Sequence, residues 1–511
     1  MSALLEVEPA AAQPPATRRD APADTLADSV ALMLVLLVAQ RLIGFVRGTM
    51  VCAWLGKEEL GHWDLALSIL AMAAPLAVFG LPGSFGRYVG YYRQNGHLPT
   101  FLRRTTAVAG ILTFLVVAAL VAAPAWTSQR FFGHADQVPL VLAMAMSLGA
   151  LVAFNFLNDL FTGLRRARLA SMLQFAQTLA FAALTIGMFV LGGQTAFWVV
   201  IAYGTSCLLC VGLALWILRG AWPALPVAVE PLPHGELWRR LLPFAACLWA
   251  TNALFNLGML LDRELIVHFS GMDEQAAFET IANYHSARLV PLLLASVGAT
   301  LAGVVMPHLS HDWEAGRKRE VSDRTNLLLK MQGFLLTAGG MAILFAAPLL
   351  FHVVFKGKYA AGEAVLPWTL TLCVWLGMIG LPQNYLWCAE RVGLGSLALF
   401  AGLLLNIVLN LALVPRYGLQ GAVWATSAAN ALILSLTYFF AVRSGLRRDR
   451  RILLAMLLPL SLAGGKWIAL AAVLAVFVMG AATHWLLDAD EKCKLRGVLE
   501  KYLRRARLRR T

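Results

Sequence analysis

The stretch SVALMLVLLVAQRLIGFVRGTMVCAWL, residues 29–55, decides how the rest of the chain is interpreted. It is long and apolar enough to cross a bilayer, since about 20 apolar residues suffice. It nevertheless contains Arg41 near its middle and Arg47 about two turns later. On a helix, Gln40, Arg41, Gly44 and Arg47 fall within an arc of about 120°. The stretch therefore predicts a membrane helix with one polar face.

The arginines on this face have two explanations. A charge in the middle of a bilayer costs several kcal/mol, so such residues almost always face a protein interior or a wet cavity. In the first explanation they reach the membrane surface or form structural ion pairs. In the second they line a cationic cavity for an anionic substrate, and the rest of the chain has to distinguish the two.

The composition excludes a soluble enzyme. Of 511 residues, 59% are hydrophobic and only 14% are charged, which is typical of a polytopic membrane protein. The net charge of +14 comes from arginine and lysine in alternate loops, so these loops are predicted to be cytoplasmic. The sequence has no Walker loop, catalytic triad pattern or metal-ligand cluster, and we therefore expect no enzyme activity, cofactor or metal.

Apolar windows along the chain predict an all-α polytopic membrane protein. It has two six-helix lobes related by a pseudo-repeat around a central cavity, with about 14 transmembrane helices in total. Whether residues 452–487 cross the membrane once, twice or as a re-entrant hairpin stays open. The predicted units are a disordered cytoplasmic tail (1–28), an N-lobe (29–218), a cytoplasmic linker (219–237), a C-lobe (238–443), an extra helix pair (452–487) and a basic amphipathic tail (488–511).

The second span, predicted near residues 63–90, includes the stretch AAPLAVFGLPGSFGRYVGYYR (73–93), which is rich in proline and glycine. Proline removes a backbone donor and glycine permits unusual dihedrals, so this helix is predicted to bend or break. Transporters use such breaks as binding elements and hinges. The alternative is close packing of helices through the glycines.

Polar residues also occur in the fourth and seventh spans. On the fourth, Asn155 and Asp159 share a face that either reaches the cavity or caps the cytoplasmic end. On the seventh, Asn252 and Asn256 lie on a stripe that Arg263 continues.

The eighth span adds Tyr284 and Arg288. Asp262 and Glu264 are neighbouring partners for Arg263, whereas Arg288 has no obvious partner in the sequence. Because both halves of the chain place arginine in their membrane portion, an anion site between the two lobes is the simplest interpretation.

Several motifs, in this order and spacing, resemble the oligosaccharide flippases of the multidrug, oligosaccharidyl-lipid and polysaccharide exporter superfamily. The resemblance extends over nearly the whole chain. The motifs are WLGKEELGHWDLALSI (54–69), GLPGSFGRYVGYYR (80–93), LDRELIVHFSG (261–271), ANYHSARL (282–289) and VPRYGLQGAVWATSAA (414–429).

The resemblance implies alternating access by two lobes, driven by an ion gradient or by the substrate's own gradient. The substrate would be an undecaprenyl-diphosphate-linked oligosaccharide, flipped across the bacterial plasma membrane for surface polysaccharide biosynthesis. Other expected partners are membrane lipid, a proton or sodium ion and further polysaccharide-assembly proteins, but not nucleic acid. The diphosphate would be held by Arg41, Arg47, Arg263 and Arg288. The sugars and the cavity would involve Gln40, Asn155, Asp159, Asn252, Asn256 and Tyr284.

Three alternatives remain at this stage. A lipid II flippase of the same superfamily would differ only in its substrate. A drug exporter for cations would need buried carboxylates, but the membrane segments offer more arginine than acid. A membrane glycosyltransferase would need sizeable outer loops, and the outer loops here are short.

Overall fold

The computed structural model describes residues 26–164, 166–221 and 232–482, and these residues form helices and turns without strands. The predicted all-α fold is therefore confirmed. The basic tail predicted at 488–511 and residues 1–25 lie outside the described residues, whereas residues 26–28 already belong to the first helix. The helices are α1 (Leu26–Trp54), α2 (Lys57–Ala77), α3 (Phe85–Gln94), α4 (Leu98–Ala122), α5 (Pro124–Phe132), α6 (Val138–Gly163), α7 (Ala167–Leu191), α8 (Ala196–Ala221), α9 (His234–Phe269), α10 (Glu274–Glu314), α11 (Lys318–Pro348), α12 (Ala360–Met378), α13 (Gly380–Cys388), α14 (Val392–Arg443), α15 (Arg451–Leu457), α16 (Leu460–Ala463) and α17 (Lys466–Ala482).

Eleven helical segments of the described chain are long and apolar enough to cross a membrane. The longest, α14, is two helices, because Gly418 at its middle has φ 52° and ψ −127°, outside the helical region. Counting α14 twice gives six spans before residue 222 and six after residue 231. We refer to α1–α8 as the N-lobe and to α9–α14 as the C-lobe.

The second span is broken, as its sequence predicts. Helix α2 ends at Ala77, and Phe79 and Gly80 then adopt positive φ angles of 49° and 67°. A short 3₁₀ turn at Pro82–Ser84 leads into α3. A Cβ atom at Gly80 would collide with the carbonyl oxygen of Ala245 on α9. Gly80 therefore serves both the break and the close packing of helices, which the sequence analysis gave as alternatives.

The C-terminal helices α15–α17 pack beside α11 and reverse direction. Their contacts along α11 give the direction of the chain: Asn326 with Arg447, then Phe345 with Trp467, then Phe334 with Phe477. The chain thus follows α11 in one direction, turns near Gly465 (φ 93°) and returns. Residues 451–463 and 466–480 are therefore two short apolar segments that run in opposite directions, and the number of membrane crossings at 452–487 stays a prediction.

The two lobes are joined by ion pairs at the ends of α2, α9 and α10, on the side away from the arginine-rich loops. Lys57 lies 3.5 Å from Glu279, and Arg130 lies 3.0 Å from Glu264. His134 pairs with Glu274. We call this group the interlobe closure, formed by Lys57, Arg130 and His134 of the N-lobe and by Glu264, Glu274 and Glu279 of the C-lobe.

Candidate functional site: a cationic cavity between the lobes

A polar cavity of about 800 Å³ lies between the N-lobe and the C-lobe. Its walls come from α1, α2, α6, α7, α9 and α10, with one residue each of α8 and α12. Its volume is in the upper range of small-molecule sites. Seven of the ten residues predicted from the sequence line it: Gln40, Arg41, Arg47, Asn155, Asn256, Arg263 and Arg288. The structure therefore brings together all four of the predicted arginines, from both lobes.

A second cavity, of about 460 Å³, lies within the C-lobe beside the first. Arg41 and Met259 line both cavities. Asn252 lines the second cavity, together with hydrogen-bonding side chains that include Ser296 and Gln383. The two asparagines predicted to share one stripe on α9 therefore face different cavities: Asn252 lines the second cavity and Asn256 lines the first.

Two predicted residues are not among those that line either cavity. Asp159 is rotated by about 100° on α6 from Asn158, which does line the larger cavity. Tyr284 is fully buried behind the arginines, and its hydroxyl donates to Asp262 Oδ2 at 3.0 Å. Direct contact of these two side chains with a sugar is therefore not supported by their positions.

Arg263 is paired with a residue that the sequence analysis did not single out. Its Nε donates to Asp64 Oδ2 at 2.9 Å, so neither Asp262 nor Glu264 is its ion-pair partner. The same carboxylate bonds His285 Nδ1 through Oδ1 at 2.6 Å. Asp64 is 4% exposed and belongs to the apolar second span. A carboxylate in such a segment was the signal available in the sequence, since it needs a buried partner.

Arg288 is a buried cavity arginine without a carboxylate partner among the described residues. It is 3% exposed, and Nη2 contacts Met259 Sδ at 3.0 Å. Its Nε and Nη1 are buried and have no hydrogen-bond partner among the described residues. The guanidinium also lies 4.9 Å from the ring centroid of Tyr284. A buried cation without a carboxylate is costly, so this geometry favours an anionic ligand.

Arg41 and Arg47 reach the same cavity from α1. Arg47 lies over the ring of Phe181 at 3.9 Å from its centroid, a cation–π contact. Arg41 is exposed to both cavities. The opposite face of α1 is apolar and also exposed: Val35, Val38, Leu42 and Val46 are each more than half accessible. Helix α1 is therefore a wall, one helix thick, between the cavity and the surroundings of the protein.

A second buried carboxylate, Asp262, lies behind Tyr284. Among the described residues its bonded partners are neutral: Asn406 and Asn410 donate to Oδ1 at 3.2 Å each, and Thr426 and Tyr284 donate to Oδ2 at 2.8 and 3.0 Å. The side-chain oxygens of both asparagines are buried and without a partner in the described chain. One carboxylate and two free amide oxygens in a buried cluster are ligands typical of a hard cation.

Known proteins share this fold at low sequence identity. The solved structure of lipid II flippase MurJ in an inward closed conformation superimposes with a TM-score of 0.66 at 13% identity, over 88% of this chain and 100% of that one. An inward-facing multidrug resistance MATE family transporter of the MOP superfamily gives 0.62 at 15% identity, over 80% and 97%. An uncharacterized membrane protein of Methanocaldococcus jannaschii, MJ1068, is 21% identical over 387 residues, 72% of this chain and 75% of its own length.

These likenesses show that the chain has the fold of known multi-pass membrane proteins, while the family is shown by the sequence itself. Residues 26–313 match the family model described as polysaccharide biosynthesis protein. That match covers more than half of the chain and includes every residue of α1–α9 and nearly all of α10. The chain therefore belongs to the polysaccharide biosynthesis protein family.

Proposed function

We propose that this protein flips an undecaprenyl-diphosphate-linked oligosaccharide from the cytoplasmic to the outer leaflet of the bacterial plasma membrane. Both termini would lie on the cytoplasmic side, with the arginine-rich loops. The observation that carries the proposal is the position of Arg288, a buried arginine that lines an interlobe cavity and has no carboxylate partner in the part of the chain that the structure describes. A diphosphate supplies the missing negative charge and accepts several charge-assisted hydrogen bonds.

The charge balance of the larger cavity favours an anion over a cationic drug. Four arginines and a single carboxylate, Asp64, line the cavity, and Asp64 is already paired with Arg263. A cation would meet uncompensated positive charge there and would lose its hydration, which makes a drug-exporter function unfavourable. The neighbouring cavity in the C-lobe, with Asn252, Ser296 and Gln383, offers neutral hydrogen-bonding groups suited to sugar hydroxyls.

The direct test is a translocation assay in proteoliposomes. The purified chain would be offered a fluorescent undecaprenyl-diphosphate oligosaccharide, a fluorescent lipid II and a cationic dye. We expect the oligosaccharide lipid to be flipped faster than lipid II and the dye to be excluded. Faster flipping of lipid II would support the lipid II alternative, and export of the dye alone would overturn the anion site.

Coupling to a cation gradient is proposed to occur at Asp262. Its carboxylate sits between α9 and the two halves of α14, so an ion bound there would bias how these helices pack. Neutral partners leave the carboxylate free to bind sodium or a proton. Asn406 and Thr426 also line the C-lobe cavity, which places the cluster beside the substrate.

Changing Asp262 to Asn is expected to lower the rate of gradient-driven flipping at least about tenfold. The amide keeps the shape of the side chain but loses the charge that attracts the cation. The measurement compares flipping under imposed sodium and proton gradients. Asp323→Asn is the matched control, because Asp323 forms a partly exposed ion pair with Arg447. This change should leave the flipping rate unaltered under both the sodium and the proton gradient. Full gradient dependence in Asp262→Asn would contradict the assignment.

A further inference from the structure

Asp64 is a carboxylate in the wall of the cavity that we propose to bind an anion. It lines the cavity, is 4% exposed, and bonds Arg263 at 2.9 Å and His285 at 2.6 Å. Asp64 belongs to α2 of the N-lobe, whereas Arg263 and His285 belong to α9 and α10 of the C-lobe. The substrate cavity therefore contains a bond that holds the two lobes together.

This bond lies at the end of the cavity next to the interlobe closure. Asp64 is two turns along α2 from Lys57, and Arg263 immediately precedes Glu264. Lys57 and Glu264 both belong to the closure. Arg41, near the middle of α1, and Asn155, nearer the end of α6 that leads to an arginine-rich loop, line the cavity farther from the closure. A ligand entering from that side meets Asp64 and Arg263 last.

The two C-lobe arginines, Arg263 and Arg288, are close to one another, but only Arg263 has a carboxylate partner among the described residues. Both guanidinium groups lie within 5.4 Å of the ring centroid of Tyr284, and both contact Met259. Arg263 is occupied by Asp64, and Arg288 has free donors. A single phosphate is satisfied by Arg288 and leaves the Asp64–Arg263 bond intact. A second, covalently attached phosphate brings another negative charge within reach of Arg263.

We propose that Asp64 determines the selectivity of transport for diphosphate over monophosphate lipids. The second phosphate replaces Asp64 on Arg263, after which Asp64 joins the lobes only through its bond to His285. Loss of the Asp64–Arg263 bond weakens the attachment and permits the lobes to separate at the closure. A monophosphate lipid binds without breaking this bond and is not carried across. The inference rests on the proposed function, because it assigns a role to one residue of the same site.

The test uses two fluorescent lipids with the same sugar and the same undecaprenyl tail, one a diphosphate and the other a monophosphate. The native protein should flip the diphosphate at least about tenfold faster, the effect expected for one charge-assisted bond. In Asp64→Asn the interlobe bond is weakened for either ligand, so the monophosphate should be flipped and the ratio should fall to about threefold or less. Asp64→Glu retains the charge and should keep the native preference.

Glu279→Gln is the matched control, because it weakens an interlobe ion pair outside the cavity. It should leave the diphosphate preference unchanged, and an equal loss of preference in this variant would overturn the role of Asp64. If Asp64→Asn does not fold, labelling of Glu279→Cys in a protein with native Asp64 gives an independent result. Diphosphate lipid, but not monophosphate lipid, should increase the labelling rate, and equal rates with both lipids would overturn the inference.

The outcomes separate the two proposals. If the native protein flips neither lipid, or if flipping does not depend on Arg288, the proposed function fails. If the native protein flips the diphosphate through Arg288 and a folded Asp64→Asn still rejects the monophosphate, only the role of Asp64 fails.

Discussion

Replacing Arg288 by Gln is expected to reduce flipping of the diphosphate-linked oligosaccharide by about 100-fold in proteoliposomes. Truncating one partner of a buried, hydrogen-bonded charge pair costs about 2–5 kcal/mol, and each 1.4 kcal/mol corresponds to a factor of ten. Arg288 meets the condition for a large effect, because it lines the cavity and its buried Nε and Nη1 have no hydrogen-bond partner among the described residues.

Arg103→Gln provides the control for this prediction. Arg103 is exposed near the start of α4, and it is absent from the residues that line either cavity. The change removes the same charge from the protein and should leave flipping within about twofold of native, as for most surface substitutions. Native rates in a folded Arg288→Gln protein would show that the arginine is structural. That result would favour the explanation in which the membrane arginines reach the membrane surface or form structural ion pairs.

Joining the two lobes at the closure is expected to abolish transport. With Lys57→Cys and Glu279→Cys in a chain otherwise free of cysteine, a short crosslinker would replace an ion pair of 3.5 Å by a covalent bond. In the alternating-access cycle that the sequence resemblance implies, these positions separate in each cycle, so the crosslinked protein would bind substrate but would not complete the cycle. Flipping should fall to background and return when a reducible crosslinker is cleaved.

A crosslink within one lobe is the matched control. Asp323→Cys and Arg447→Cys replace an ion pair of 3.1 Å whose two members both belong to the C-terminal half. Because this half moves as a unit in the proposed cycle, that link should leave transport near the native rate. Continued flipping with the lobes joined at Lys57 and Glu279 would rule out separation of the lobes at the closure.

The arginine face of α1 was predictable from sequence because it depends on helical periodicity alone. Gln40, Arg41 and Arg47 recur at a spacing that puts them on one side, and the structure places all three on the cavity. The break in the second span was predictable for a similarly local reason, since the dihedrals at Gly80 are those that glycine permits. Such features require no knowledge of the neighbouring helices.

The partners of the charged residues were not predictable in this way. Arg263 pairs with Asp64, which is 199 positions away in sequence, although Asp262 and Glu264 flank it. Adjacent residues on a helix point about 100° apart, so sequence neighbours are poor candidates for partners. The Asp262 cluster draws on Asn406, Asn410 and Thr426 from both halves of α14, and only the packed helices bring these side chains together.

The helix boundaries show a further limit of apolar windows. The window for the eighth span covers residues 281–307, whereas α10 extends from Glu274 to Glu314. Its 41 residues correspond to about 60 Å, twice the thickness of a hydrocarbon core. Hydropathy detects the part of a helix that lies in lipid, but the ends of α10 are held by capping at Asp273 and by contacts with other helices.

The single-helix wall formed by α1 has a consequence for cargo size. For an amphipathic cargo, only the polar head needs to enter the protein, since α1 presents arginine to the cavity and exposed valine and leucine to the other side. The hydrocarbon chain can then remain dissolved in the membrane while the head crosses. The work of transport would be nearly independent of tail length, and one protein would serve carriers whose isoprenoid chains differ by several units.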